Sequence, residues 1–168
     1  SAHNGEDSSG RPRLEFYAPV GPAQHGSGGQ VPAPATLGPA VSVCPGGGYG
    51  CLAPHEAAPG AWMVARHGIA AFGCHYRVAP HRFPAPYADV ARAVRLVRAD
   101  AQKRGFDPEK IGALGFSAGS HLTVLLATSA LTPAYTPVDA LDQTPCHLNW
   151  AIPIYTAYAL TDGLTGPN

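Results

Sequence analysis

Two periodicities alternate along this chain: compact apolar runs of strand length, and longer stretches in which apolar residues return every third or fourth position. Leu14-Glu15-Phe16-Tyr17 alternates as a short strand does. Ala40-Val41-Ser42-Val43-Cys44 is an apolar run stopped by Pro45 and three glycines, which predicts a buried strand feeding a glycine-rich loop. Ala58, Trp62, Val64 and Ala65 suit a helix between residues 55 and 67, and Pro59 with Gly60 places its start near residue 59. Residues 69–76 read as the next buried strand. Between residues 86 and 104, Tyr87, Val90, Ala91, Val94, Val97 and Ala101 mark one helical face, with Asp89, Arg92, Arg95, Asp100 and Lys103 on the other. Gly105 ends that helix, Asp107-Pro108 predicts a turn, and residues 111–116 form a third buried strand running straight into Ser117. Residues 118–129 are apolar almost all round and predict a helix covered on most sides. A Pro/Thr-rich loop then leads to a last strand over residues 148–155. Strands apolar on both faces, alternating with helices, predict an α/β fold: a mostly parallel sheet with helices on both sides.

Composition sets the boundaries of that picture. More than half of the twenty glycines and eighteen prolines lie in the first fifty residues and around 131–145, where connections would lie. Residues 1–36 therefore read as a polar arm followed by a Gly/Pro-rich surface connection, with the strand at 14–17 between them, and 37–168 as part of one domain. The 168 residues hold one core, not two. Zero formal net charge and 45% hydrophobic residues point to a globular protein without a nucleic-acid partner. No apolar run reaches the length of a membrane span. Four cysteines, Cys44, Cys51, Cys74 and Cys146, have no metal-like spacing and read as buried free thiols; a Cys44–Cys51 bridge has no pattern to support it.

The chemistry concentrates at Gly115-Phe116-Ser117-Ala118-Gly119. A serine hydroxyl is a poor nucleophile, so acyl transfer requires it to be exposed, given a base, and paired with donors for the oxyanion. A strand that turns directly into a helix exposes the corner residue, glycines on either side admit the strained turn, and the helix start presents the Ala118 amide to developing negative charge. The exit loop of the earlier strand, Pro45-Gly46-Gly47-Gly48-Tyr49-Gly50, supplies bare backbone for the rest of an oxyanion hole. Gly47 and Gly48 are the chosen donors and Gly46 the near alternative.

These motifs resemble the esterase and lipase branch of the α/β-hydrolase fold, especially bacterial carbohydrate-ester esterases and the hormone-sensitive-lipase-like group. The resemblance spans about residues 38–160. It rests on residues 45–50, on Tyr76-Arg77-Val78-Ala79-Pro80 with Phe83-Pro84-Ala85-Pro86 and Asp89, on Asp107-Pro108 with Lys110-Ile111, and on residues 115–122. It implies an eight-stranded, mostly parallel sheet and a triad in the order Ser, acid, His, with Arg77 and Asp89 bracing sheet and helix. Cys44-Pro45 stands where many lipases have His-Gly, which matters little when the donors are backbone groups. On this resemblance residues 37–168 are the N-terminal part of the domain. Its C-terminal strands, with the triad acid and base, are then expected from a further segment, in the same chain or as a separate one.

The remaining polar residues fit that expectation. His121 projects from the helix behind Ser117 and reads as a packing or hydrogen-bonding residue; His147 precedes the last strand, at the end of the sheet away from the serine. His55, His67, His75 and His81 precede Ser117, whereas the resemblance implies a base near the domain's end. Asp139, Asp142 and Asp162 read as loop residues. No histidine pair has zinc spacing, and neither metal nor cofactor is called for. The function implied is a serine carboxylic ester hydrolase for short acyl groups, such as acetyl on a carbohydrate, working through an acyl-serine. An amidase or peptidase on the same fold, or a binding protein that has lost its triad, are the alternatives.

Overall fold

A computed structural model describes residues 10–20, 37–132 and 135–157. The predicted Gly/Pro connection, the polar arm before residue 10, Asp162 and the segment after residue 157 lie outside the described residues. The elements in chain order are β1 (Arg13–Tyr17), β2 (Gly38–Cys44), α1 (Pro54–Ala65), β3 (Ala70–His75), α2 (Ala85–Ala99), α3 (Ala101–Arg104), β4 (Phe106–Phe116), α4 (Ala118–Ser129), a 3-10 turn (Ala140–Gln143) and β5 (Trp150–Ile154). Among the described residues the sheet has five strands in the order β1-β3-β2-β4-β5. The β1 strand runs antiparallel to β3 and every other pairing is parallel.

The period of two in the strands explains the layers. In β2, Val41 and Val43 face one side with Ala71 and Leu114, where Ala61 and Ala65 of α1 cover them. Ala40 and Cys44, one residue out of phase, face the other side with Phe72, Cys74 and Ile111, under Val90, Val94 and Val97 of α2 and Leu122 and Leu126 of α4. A strand covered on both faces gains from apolar residues at every position, which is why these runs do not alternate. Full burial of one such aliphatic side chain contributes roughly 1.5–3 kcal/mol.

This layering positions the site. The neighbouring strands β2 and β4 pair up to Cys44 and Gly115, yet β2 leaves for α1 on one face and β4 for α4 on the other. Adjacent strands whose exits diverge open a crevice at their carboxyl ends, the place where open α/β sheets bind ligands.

Several local expectations need correction. The first helix starts at Pro54, five residues before the predicted start, with Pro59 inside it. Proline suits the first helical position, and a second one close behind removes only a single backbone bond while buried Ala57, Gly60 and Ala61 hold the helix to the sheet. The amphipathic stretch is two helices that meet at Asp100, and Gly105 at φ 80° stops the second. Asp107-Pro108 is not a connection between elements: it lies within β4 as an irregularity, with Gly38 opposite Phe106 but Ala40 opposite Ile111. Asp107 Oδ1 accepts from the Glu109 amide at 2.9 Å, a local turn accommodated inside the strand.

Charged residues assigned to the polar face of α2 are partly buried in networks. Asp89 accepts from the Arg77 amide at 2.9 Å and from the Arg77 guanidinium at 2.7 Å, bracing the end of β3 against α2. Arg92 bonds Asp139 and Asp142, which cap the 3-10 turn inside the predicted loop. Burial pushes the Asp142 carboxyl up, but Tyr135, the Val138 and Asp139 amides and Arg92 outweigh it and hold the group at about 2. Arg98 donates to the carbonyls of Pro108, Pro145 and His147 and so anchors the approach to β5. Among the described residues that strand is an edge, with Ile152 and Pro153 exposed. Among the described residues no helix is long and apolar enough to cross a membrane.

Candidate active site

Ser117 occupies the corner between β4 and α4 at φ 48° and ψ −113°, a conformation that non-glycine residues seldom adopt. The surroundings impose it. A Cβ on Gly119 would lie 2.1 Å from the Cys44 carbonyl oxygen, and one on Gly115 would lie 2.5 Å from the Gly119 carbonyl oxygen and from Thr123 Oγ1. Bare backbone at both positions lets α4 start directly against the end of β2. The Ser117 amide donates to the Ile154 carbonyl at 3.0 Å, and its own carbonyl accepts from the His121 amide at 3.0 Å, so the corner is fixed from both sides. Backbone strain held by such contacts is characteristic of functional corners.

The glycine loop lies beside it. The Gly46 Cα is close enough that a Cβ there would stand 2.9 Å from both Ser117 Cβ and the Phe116 carbonyl oxygen. The chain then turns tightly, with the Gly47 carbonyl accepting from the Gly50 and Cys51 amides at 3.0 and 3.2 Å, and the Gly46 carbonyl from Ala53 at 2.9 Å. Gly47 has φ 124°, where a Cβ would meet the Cys51 carbonyl oxygen at 2.2 Å. Three side chains hold the loop in place. Tyr76 donates to the Pro45 carbonyl at 2.6 Å, Tyr49 lies 2.7 Å from His121 Nδ1 and 3.2 Å from the Ala118 carbonyl, and Glu56 Oε2 accepts from the Gly46 amide at 2.6 Å. Burial pushes the Tyr49 and Tyr76 hydroxyls well above the usual phenol range and keeps both protonated donors.

The Gly46 amide, the near alternative among the expected donors, is thus taken by Glu56. The Gly47 and Gly48 amides have no acceptor among the described residues, and the Ala118 amide is the first of α4, with no partner inside the helix. The four residues singled out from the sequence, Ser117, Ala118, Gly47 and Gly48, therefore come from the two adjoining exit loops at one end of the sheet. Helix geometry favours an anion there.

The described histidines lie away from the Ser117 hydroxyl or are bound to other groups. His121 is turned to Tyr49, and burial holds its pKa below the ordinary 6.5. His75 Nε2 lies 3.3 Å from Glu15, His67 Nδ1 is 2.8 Å from the Met63 carbonyl, His81 is exposed, and His147 lies at the opposite end of the sheet, its carbonyl bound by Arg98. His55 is exposed, 3.7 Å from Glu56. Among the described residues no histidine nitrogen or carboxylate oxygen is hydrogen-bonded to Ser117 Oγ. Asp139 and Asp142 are committed to Arg92 and the 3-10 turn. Cys44, Cys74 and Cys146 are buried free thiols; Cys51 is free but exposed, against the expectation of burial, with its Sγ 3.7 Å from the Gly47 carbonyl oxygen. Among the described residues no three His, Cys, Asp or Glu side chains group to hold a metal ion.

Two contributors were not read from the sequence: Glu56, and Tyr155, whose hydroxyl donates to Glu56 Oε1. The available signal was a lone acid in the first turn of the helix that follows the glycine loop.

The BD-FAE family model matches residues 39–157, a span that includes both loops and the sheet they leave. The chain belongs to the BD-FAE family. Among curated relatives of this BD-FAE chain, the acetylxylan esterase of Xylanibacter ruminicola is 32% identical over 118 residues, 66% of this chain and 25% of that protein. Esterase LipC of Mycobacterium tuberculosis is 34% identical over 103 residues, 61% of this chain and 25% of that protein. Among solved structures, an acetyl ester-xyloside bifunctional hydrolase from Caldicellulosiruptor lactoaceticus superposes with a TM-score of 0.68 at 35% identity, covering 83% of this chain and 47% of the other. A thermophilic esterase from Thermogutta terrifontis gives 0.71 at 28% identity, covering 93% and 52%. The BD-FAE chain has the α/β-hydrolase fold of these esterases. It spans about a quarter of the length of these curated relatives and about half that of the solved esterases.

Proposed function

We propose that this chain carries the nucleophile of a carboxylic ester hydrolase that works through an acyl-serine intermediate. The observation behind the reading is the strained Ser117 corner beside the unpartnered amides of Gly47, Gly48 and Ala118. Ser117 Oγ attacks the ester carbonyl carbon as a base takes its proton, and the three amides hold the oxyanion. Collapse breaks the bond to the alcohol, which leaves with that proton, and water then attacks the acyl-serine by the same route to release the acid. The base histidine and its acid partner come, in this proposal, from residues outside those described.

The substrate class is a short acyl ester, acetyl above all, on a carbohydrate. The names of two relatives, an acetylxylan esterase and an acetyl ester-xyloside hydrolase, support that choice. Steady-state assays of the full-length protein on p-nitrophenyl acetate and octanoate, with acetate release from acetylated xylan, test it. The proposal expects faster turnover of the acetate and release from xylan, both lost in Ser117→Ala; preference for octanoate, or activity surviving the substitution, would refute it.

A further inference from the structure

We propose that Glu56 is a positioning residue for the oxyanion-binding loop: its carboxylate holds the Gly46 amide and thereby sets the direction in which the Gly47 and Gly48 amides point. The inference rests on the reading of Ser117 as nucleophile and deepens it. Glu56 stands in the first turn of α1, its side chain only 11% exposed. Oε2 accepts from the Gly46 amide at 2.6 Å, and Oε1 accepts from the Tyr155 hydroxyl. Tyr155 follows β5, and the preceding Ile154 carbonyl accepts the Ser117 amide. One carboxylate therefore ties the glycine loop, α1 and the exit of β5 at the point where they meet the nucleophile. The Cβ position of Gly46 is 2.9 Å from Glu56 Oε2 and 2.9 Å from Ser117 Cβ, which places the carboxylate next to the corner itself.

Reach, not charge, is the property such a role needs. A free negative charge beside a developing oxyanion opposes it, whereas here the two oxygens are occupied by Gly46 and Tyr155. Without an acceptor, the buried Gly46 amide must find another partner by rotating the loop, and the next two amides rotate with it. Amides that miss the oxyanion by an ångström forfeit much of their effect on turnover while contributing little to ground-state binding.

Two substitutions separate reach from charge. Glu56→Gln keeps an acceptor at the same distance without the charge, and Glu56→Asp keeps the charge but withdraws it by one methylene. On p-nitrophenyl acetate, the full-length Glu56→Asp and Glu56→Ala variants are expected to lose about tenfold or more in kcat with KM within about threefold of wild type. Glu56→Gln should recover most of that loss. Thermal unfolding identifies variants that remain folded, and if Glu56→Ala does not fold, the Asp and Gln pair decides the question. Wild-type kcat in Glu56→Asp overturns the positioning role, and so does a defect confined to Glu56→Gln, which would make charge the requirement. Either result leaves the nucleophile reading intact, because that reading fails only if the wild type itself does not hydrolyse the ester or does so without Ser117.

Discussion

The Tyr49 hydroxyl lies 2.7 Å from His121 Nδ1 and 3.2 Å from the Ala118 carbonyl, joining the glycine loop to the first turn of α4 across the crevice between β2 and β4. The contact joins the two segments proposed to hold the oxyanion, so their separation depends on side chains that never touch it.

Tyr49→Phe removes both contacts and keeps the ring against Tyr76, 6.3 Å away between centroids. Loss of a net hydrogen bond predicts a stability decrease of about 1 kcal/mol, measured as a lower urea midpoint with an unchanged slope. An unshifted midpoint would show that the contact contributes nothing.

The pH dependence follows from His121. Burial lowers its pKa below the ordinary 6.5 in the folded protein, so the unfolded chain takes up a proton first as pH falls. The stability that His121 contributes is fully present above pH 6.5 and is lost as pH falls from 6.5 through the folded pKa. His75, also lowered mainly by burial, adds to the same loss. Melting temperatures on the two sides of this window should therefore differ less in His121→Gln than in wild type, and an equal or larger difference in the variant would contradict the argument.

Gly47 and Gly48 should respond differently to alanine. At Gly47 the new Cβ meets the Cys51 carbonyl oxygen at 2.2 Å, so the turn must open and its amide is lost to the oxyanion. Removing one such donor lowers kcat by about a hundredfold or more. At Gly48 a Cβ meets nothing within 4 Å, so the left-handed φ of 60° is the one source of strain, about 1–2 kcal/mol, and a smaller loss is expected. Wild-type kinetics in both variants would mean that the loop is only a connection.

Much of this was legible in the sequence because it depends on local chemistry. The run into Ser117, the glycines flanking it and the apolar strands specify the corner and both sheet faces without reference to distant residues. The start of α1 is not legible there, because Pro59 signals a helix start while the packing of Ala57 and Gly60 on the sheet extends the helix back to Pro54. The role of Glu56 is hidden for a related reason: its partners, Gly46 and Tyr155, are brought to it only by the folded sheet. Asp139 and Asp142 likewise looked like loop residues until Arg92, far away in sequence, gathered them.

The central claim is that Ser117 is an activated nucleophile, and covalent labelling tests it most directly. The full-length protein and its Ser117→Ala variant are treated with a fluorophosphonate, followed by intact mass and peptide mapping. Serine deprotonated by a neighbouring base reacts with the phosphorus, whereas an ordinary hydroxyl does not. The account predicts one adduct on wild type, mapped to Ser117, and none on Ser117→Ala; an unlabelled wild type, or an adduct that survives the substitution, would contradict it.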